Sequence, residues 1–267
     1  MAKIIVFTDT HMEPEVPQGK FNPDVQLQKG IAHVNEFNPD ADMVIFTGDL
    51  TDKGDATSYE MLHSRLDDLK IPHHLLLGNH DNRENFIKIF PETKLDENGF
   101  VQKVIHTPEA NLILLDTLNG PPYNYPESHK GSLCEKRLAW LEVQLKDAGE
   151  KPCIIFMHHP PHSTHFVAMD LISLIEGEAF YGLVKQYKNV AHIVCGHVHR
   201  TISGSHKGIP FSIFKSTVGQ MPMLFDTMDF HMEVNEPSAY GIVFINPESV
   251  IVQTEDFELS DLNRFLK

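Results

Sequence analysis

The sequence predicts an α/β sandwich with mixed β-sheets, and two observations indicate this fold class. Short runs rich in β-branched residues alternate with segments whose apolar residues have helical spacing, and hairpin-like pairs of strands follow them. The chain has 267 residues, of which 41% are hydrophobic, so it is long enough to bury a large core. No repeat, low-complexity stretch or linker divides the sequence, and we expect one domain over residues 1–267.

Each predicted strand is a short apolar run bounded by turn residues. The strands are predicted at 3–8, 42–46, 73–77, 100–106, 111–116, 152–157, 191–195, 201–206, 209–214, 240–245 and 249–254. Helices are predicted where apolar residues recur every three or four positions, as Leu27 and Ile31 do. The helices are predicted at 25–37, 58–70, 82–90, 132–148 and 170–187, with an interruption of the last near Gly177. Ser132 and Glu135 form a capping box that predicts the start of the fourth helix.

The composition excludes several classes of partner. A formal net charge of −15 repels nucleic acid and anionic membranes, because binding to either relies on clustered cations. No apolar run reaches membrane-spanning length, and the chain begins with a strand-like run instead of the apolar region of a signal peptide. Cys153 and Cys195 lie within apolar runs, as small buried residues do, which indicates a reducing compartment and a cytoplasmic protein.

Side chains that bind metals follow five of the predicted strands. They are Asp9 and His11 after the first strand, Asp49 after the second, Asn79 after the third, His158 after the sixth, and His197 and His199 after the seventh. Ligand sites of open α/β sheets lie outside the carboxyl ends of the strands, so these loops meet in one crevice if the strands run side by side. Gly48, Gly78 and Gly196 let the backbone turn sharply in three of the loops.

This set combines carboxylate, imidazole and amide donors and contains no thiolate. The mixture suits Mn, Fe, Co or Zn ions and argues against an iron–sulfur cluster. In Asp9–His11 and in His197–His199, one intervening residue puts both side chains on the same side of an extended backbone. Each pair therefore either chelates one metal or serves two adjacent metals. The aspartates and the asparagine are also common helix caps, but the four histidines of the set favour a metal site.

The ordered motifs D-x-H, GD, GNHD, H and GHxH resemble those of the calcineurin-like metallophosphoesterases. Within this superfamily, FMHHPP at 156–161 and CGHVH at 195–199 look like the class III cyclic-nucleotide phosphodiesterases and the bacterial glycerophosphodiesterases. The resemblance implies a four-layer αββα sandwich with two mixed β-sheets and two divalent metal ions. It assigns the first metal to Asp9, His11, Asp49 and His199, and the second metal to Asp49, Asn79, His158 and His197. His80 would not bind a metal and would face the leaving group.

The implied reaction is hydrolysis of a small phosphodiester, either a cyclic nucleotide or a glycerophosphodiester, by attack of a hydroxide that bridges the two metals. The alternative is a phosphomonoesterase or protein phosphatase on the same fold, and a third interpretation is a metal-binding protein without activity. A protein phosphatase needs basic contacts for a dianion, and the sequence offers few candidates. His80 and Asp81 are the predicted catalytic residues, and Asp81 either orients the His80 imidazole or caps the following helix.

The motifs name no substrate-binding residue, and several other residues have open roles. His159 is expected to pack beside the ligands, whereas His162 and His165 either line the pocket or lie away from it. Gly219 stands where relatives of the glycerophosphodiesterase type often have a further histidine. The segment Met221–Met232 is too apolar for a solvated loop, which indicates core filling, a lid or a subunit contact. We place the lid or oligomerisation segment at 215–236 and expect a homo-oligomer.

Overall fold

The computed structural model describes residues 1–259, which contain eleven β-strands and six α-helices. The strands are β1 (Ala2–Phe7), β2 (Met43–Thr47), β3 (His73–Leu76), β4 (Lys103–His106), β5 (Asn111–Leu114), β6 (Cys153–Phe156), β7 (Val190–Cys195), β8 (Ile202–His206), β9 (Ile209–Ile213), β10 (Tyr240–Asn246) and β11 (Ser249–Glu255). The helices are α1 (Pro23–Phe37), α2 (Ala56–Leu66), α3 (Arg83–Ile89), α4 (Glu135–Asp147), α5 (Val167–Asp170) and α6 (Gly177–Val184). No helix within residues 1–259 is long and apolar enough to cross a lipid bilayer.

The strands form two mixed sheets. The first sheet has the order β11-β10-β1-β2-β3, in which β1, β2 and β3 are parallel while β10 and β11 are antiparallel to their neighbours. The second sheet has the order β4-β5-β6-β7-β9-β8, with a parallel centre and an antiparallel strand at each edge. The strands that precede the predicted metal ligands are therefore parallel neighbours within each sheet.

Three groups of buried apolar side chains hold the layers together. Ile4 and Val6 of β1 pack between the two sheets, whereas Ile5 and Phe7 pack against helices, because successive side chains of a strand point to opposite faces. Helices α1, α2 and α3 cover the outer face of the first sheet, and α4 and α6 cover that of the second. Burying one such side chain contributes about 1.5–3 kcal/mol. The predicted four-layer αββα sandwich with two mixed sheets is thus confirmed.

The predicted capping box at the fourth helix is wrong. Helix α4 begins at Glu135 with Cys134 as its N-cap, and no side chain donates or accepts a capping hydrogen bond there. The hydroxyl of Ser132 instead donates to Glu176 Oε1 at 3.3 Å. The serine is therefore used in a contact with a distant loop, which a local sequence pattern does not reveal.

The predicted helix 170–187 is also wrong over its first third. The helical segments are α5, which ends at Asp170, and α6, which begins at Gly177. Between them, the backbone N–H groups of Leu174 and Ile175 donate to carbonyl groups of two other loops, at 3.2 and 2.9 Å. These donors are therefore not available for the hydrogen bonds of a continuous helix.

Candidate metal centre

The loops that follow β1, β2, β3, β6 and β7 meet at the carboxyl ends of these strands. Backbone hydrogen bonds join the loop after β1 to the loop after β2, and the loop after β6 to the loop after β7. They carry all seven predicted ligands, which are Asp9, His11, Asp49, Asn79, His158, His197 and His199. The aspartates and histidines of this set fall into overlapping groups whose ligand atoms lie within 4.8 Å of one another. The structure therefore brings the predicted residues together in one crevice.

Asp9, His11 and His199 form one side of this centre. Asp9 Oδ1 lies 3.3 Å from His199 Nε2, which in turn lies 3.1 Å from His11 Nε2. The buried Asp9 carboxylate accepts hydrogen bonds from the Thr8 hydroxyl at 2.6 Å and from the backbone N–H of His197 at 3.0 Å. These bonds fix the carboxylate in the orientation that brings it to His199.

Asp49, Asn79, His158 and His197 form the other side. His158 Nε2 lies 3.2 Å from Asp49 Oδ2 and 3.3 Å from Asn79 Oδ1. Asp49 Oδ2 also lies 3.8 Å from His11 Nε2, so this oxygen stands between the two sides. The His197 ring is centred 5.1 Å from the His158 ring, and its buried Nε2 has no hydrogen-bond partner among the described residues.

Backbone carbonyl groups fix the tautomers of two imidazoles. His158 Nδ1 lies 2.9 Å from the Thr47 carbonyl oxygen, and His199 Nδ1 lies 2.8 Å from the Gly219 carbonyl oxygen. A carbonyl can only accept, so Nδ1 must carry the hydrogen in both rings. When either ring is neutral, its lone pair is on Nε2, the atom that faces the centre, as is usual for histidines that bind metals.

The charges of the centre act against the cost of burial. Burial raises the pKa of the Asp9 carboxyl, but His199 and His158 lower this pKa to about 2. Burial lowers the pKa of His158, but Asp49 and Asp9 raise it to about 9. Burial and the charge of His158 lower the pKa of His197 to about 3. The centre thus holds ionised carboxylates that attract a cation, beside a neutral imidazole that can bind one.

Backbone strain is concentrated in the same residues. Seven non-glycine residues of the described chain have a positive φ, and five of them belong to the predicted ligand set. These five are Asp9, His11, Asp49, His197 and His199, with φ between 42° and 72°. A non-glycine residue in this region costs about 1–3 kcal/mol, and such residues cluster at functional sites, where the surrounding structure holds them in place.

Two glycines are required by close contacts within the centre. A Cβ atom at Gly78 would lie 2.2 Å from Asp49 Oδ1, and one at Gly196 would lie 1.9 Å from the Thr8 hydroxyl oxygen. Neither position has room for a larger residue, so the loops after β3 and β7 can approach the aspartates only with glycine at these positions.

The residues fit divalent metal ions. Two ionised carboxylates, four imidazoles and an amide oxygen converge, and the set contains no thiol, which is a donor mixture suited to borderline divalent metals. The unpartnered Nε2 of His197 is a buried nitrogen that a metal would satisfy, since buried polar atoms normally have a partner.

Comparison with known proteins identifies the family. The model of the calcineurin-like phosphoesterase family matches residues 2–201, which include all the loops of the centre. The chain belongs to this family. The resemblance predicted from the ordered motifs is thus confirmed, and the chain is a phosphoesterase of a family that uses divalent metals.

The relatives of this phosphoesterase include proteins named as diesterases. A probable cyclic nucleotide phosphodiesterase of Rhodopseudomonas palustris is 37% identical over 262 residues, which cover 96% of this chain and 92% of the relative. A probable glycerophosphodiester phosphodiesterase of Arcobacter nitrofigilis is 35% identical, covering 74% of this chain and 71% of the relative. A 3′,5′-cyclic adenosine monophosphate phosphodiesterase of Vibrio vulnificus is 30% identical, covering 88% and 82%.

A solved structure supports the fold of this phosphoesterase. A dimetal phosphatase from Danio rerio superposes with a TM-score of 0.72, with coverage of 95% of each chain and 14% sequence identity. At that identity the likeness concerns the fold alone, and it agrees with the two mixed sheets and their helical layers.

The carboxylate beside His80 is that of Asp52. His80 Nδ1 lies 2.8 Å from the backbone carbonyl oxygen of Asp52 and 3.9 Å from its Oδ1. The same Oδ1 lies 3.4 Å from His11 Nδ1, so Asp52 joins the two imidazoles. Asp52 was not among the predicted site residues, although its position three residues after Asp49, in the same loop, is a signal that could have identified it.

Asp81 neither orients the His80 imidazole nor caps helix α3, the two roles predicted for it. Its carboxylate accepts hydrogen bonds from the backbone N–H groups of Leu50, Thr51 and Gly78 and from the Tyr59 hydroxyl. Helix α3 is capped by the next residue, Asn82. Asp81 therefore joins the loop after β3 to the loop after β2. The carboxylate beside the His80 imidazole is that of Asp52, where the sequence had suggested Asp81.

A pocket of about 190 Å³ opens over the centre of the phosphoesterase. Besides predicted ligands, its walls include Glu13, Lys20, Phe21, His129, Met221, Phe230, His231, Met232 and Glu233. His129 lies in a short 3₁₀ helix (Glu127–His129), with its ring centre 5.8 Å from that of His80. None of these loop residues has a motif around it that would predict its place.

The other histidines singled out in the sequence lie away from this pocket wall. His159 is buried beside the His158 ring, and its Nδ1 lies 2.8 Å from the Thr117 hydroxyl oxygen. His162 is buried against Tyr181, with 2.9 Å between Nδ1 and the phenol oxygen. His165 is exposed. The prediction that His159 packs beside the ligands is therefore confirmed, while neither His162 nor His165 lines the pocket.

Proposed function

We propose that this phosphoesterase hydrolyses small phosphodiesters, either cyclic nucleotides or glycerophosphodiesters, at a centre of two divalent metal ions. The observation that carries the proposal is the convergence of seven nitrogen- and oxygen-donor side chains under one small pocket. The names of the relatives support a diester substrate. The first metal would be held by Asp9, His11, Asp49 and His199, and the second by Asp49, Asn79, His158 and His197.

The donor set favours Mn, Fe, Co or Zn as the two ions. When bound, such ions supply positive charge for the phosphoryl group and activate a water molecule as the nucleophile. Other groups of the chain orient the imidazole rings that take part in this reaction. The Thr47 and Gly219 carbonyl groups hold two imidazoles with Nε2 inward, and Asp52 fixes the ring of His80 at the pocket wall, where it can give a proton to the leaving oxygen.

The pocket favours a monoanionic diester over a dianionic monoester. Among the described residues that line it, Lys20 is the one lysine or arginine, and Lys20 is paired with Glu233. A phosphomonoester would bring a second negative charge to a pocket that also carries Glu13 and Asp52. Charge therefore supports the diesterase over the phosphomonoesterase or protein phosphatase.

The direct test compares two substrates that share a leaving group. We expect bis(p-nitrophenyl) phosphate to be hydrolysed with a kcat/KM about tenfold or more above that of p-nitrophenyl phosphate, a difference of about 1.4 kcal/mol in barrier. Each of Mn, Fe, Co and Zn is added separately to metal-free protein, and cyclic AMP, 2′,3′-cyclic nucleotides and glycerophosphoethanolamine are then assayed with the most active metal. A preference for the monoester with every metal would contradict the proposal.

We also propose that the phosphoesterase is a single-domain, cytoplasmic protein that forms a homo-oligomer through the segment 215–236. Met223, Leu224 and Phe225 are 56%, 45% and 49% exposed, which is unusual for adjacent large apolar side chains. Sedimentation at micromolar concentration is expected to show an oligomer, and polar replacement of these three residues is expected to dissociate it. A wild-type monomer, or an unchanged oligomer in the variant, would refute this interface.

A further inference from the structure

The mouth of the pocket lies between two loops from opposite ends of the chain. One wall, which we call the amino-terminal wall, is formed by Glu13, Lys20, Phe21 and Pro23. The other, the carboxy-terminal wall, is formed by Phe230, His231, Met232 and Glu233. Both walls line the same pocket as His80 and the proposed metal ligands.

One polar contact joins these walls, and a second joins the residues next to them. The Lys20 ammonium forms an ion pair with the Glu233 carboxylate, and Asn235 Nδ2 donates a hydrogen bond to the Gly19 carbonyl at 2.8 Å. The side chains of Lys20 and Glu233 are 50% and 23% exposed, which puts their ion pair at the solvent edge of the pocket and away from its floor. An exposed ion pair is weak and is screened by salt, so this link can open and close readily.

The space for this ion pair depends on a glycine next to the metal centre. A Cβ atom at Gly219 would lie 1.6 Å from Glu233 Oε1 and 2.0 Å from its Cδ, so any side chain there would displace the carboxylate. The backbone carbonyl of Gly219 is the group that accepts the hydrogen bond of His199 Nδ1. The Glu233 side chain is thus packed directly over the segment that orients a proposed metal ligand.

We propose that Lys20 and Glu233 form a latch across the pocket mouth that sets the size of the phosphodiester this enzyme accepts. The latch leaves room for a diester with a small second alcohol group and disfavours one with a bulky second group. The inference rests on the proposed diesterase function and adds to it the two residues that determine which diesters are accepted.

The experiment uses two diesters with the same leaving group. Methyl p-nitrophenyl phosphate is the small substrate, and thymidine 5′-(p-nitrophenyl phosphate) is the bulky one, so the chemical step and the chromophore are matched. The measured quantity is the ratio of kcat/KM for the bulky substrate to kcat/KM for the small one. It is determined on the metal-loaded full chain, with metal content and melting temperature recorded for every variant.

Three variants open the latch in different ways. Lys20→Met and Glu233→Gln each remove one charge, whereas Gly219→Ala displaces the carboxylate and keeps both charges. Each is expected to raise the ratio about two- to fivefold, the range by which an exposed ion pair shifts an equilibrium. Salt is expected to raise the wild-type ratio and to leave that of Lys20→Met unchanged. Glu178→Gln is the matched control, because it breaks an exposed ion pair with Lys207 outside the pocket lining.

A wild-type ratio in both Lys20→Met and Glu233→Gln would overturn the latch, and so would a lower ratio, which would mean that the ion pair binds the bulky substrate. If Gly219→Ala loses metal or stability, the two charge variants still decide the question. Failure of the proposed function is a different result, because the wild-type protein would then hydrolyse neither diester with any metal.

Discussion

Replacement of Asp49 with alanine is expected to remove both metal ions and to lower diester hydrolysis by about 10³-fold or more, since bound metals contribute several kcal/mol to transition-state stabilisation. Asp49 Oδ2 lies 3.2 Å from His158 Nε2 on one side of the centre and 3.8 Å from His11 Nε2 on the other. This oxygen stands between the two proposed ligand groups, and so its loss is expected to affect both.

Metal analysis by mass spectrometry, with activity measured in parallel, checks this expectation. His11→Ala is the informative comparison, because His11 belongs to one ligand group and its variant is expected to keep one ion. Asp40→Ala, which breaks an exposed ion pair with Lys3, controls for the loss of an aspartate and should keep two. Two ions per chain in a folded Asp49→Ala protein would show that Asp49 is not the shared ligand.

The sequence predicted the fold and the proposed ligands because both depend on patterns that are local in the chain. A ligand that directly follows a strand lies at the carboxyl end of that strand, whatever the conformation of the rest of the loop. Because β1 and β2 are parallel neighbours, Asp9 lies close to Asp49, and because β6 and β7 are parallel neighbours, His158 lies close to His197. The run Ile4–Phe7 of β1 is apolar on both faces, so the sequence did not predict which face of β1 would meet the second sheet.

The residues that were missed depend on contacts between distant loops. Lys20 and Glu233 are more than two hundred positions apart, and nothing near either residue indicates the other. His129 reaches the pocket from a short 3₁₀ helix that no apolar period predicts. Asp81 was misassigned for a related reason: it adjoins His80 in the chain, but its carboxylate is turned toward the N–H groups of the loop after β2.

Replacement of His80 with alanine is expected to slow hydrolysis of diesters with alkoxide leaving groups by about 10²–10⁴-fold, the usual contribution of general acid catalysis. His80 lines the pocket, and the Asp52 carbonyl 2.8 Å from Nδ1 leaves Nε2 as the atom that can transfer a proton. The Asp52 carboxylate lies 3.9 Å from Nδ1, on the side of the ring away from Nε2. An alkoxide, whose conjugate acid has a pKa of roughly 14–16, leaves poorly without a proton.

A comparison of leaving groups distinguishes proton donation by His80 from simple electrostatic binding of the phosphoryl group. A p-nitrophenolate ion, whose conjugate acid has a pKa of about 7, needs little protonation, so His80→Ala should slow bis(p-nitrophenyl) phosphate far less than glycerophosphodiesters or cyclic nucleotides. His129→Ala removes a neighbouring pocket imidazole and should affect both substrate types alike. Equal losses in His80→Ala would mean that His80 binds the phosphoryl oxygen and donates no proton. Loss of a metal ion from that variant would make His80 a ligand instead, because the imidazole lies within 4.8 Å of the ligand atoms of His11 and Asp49.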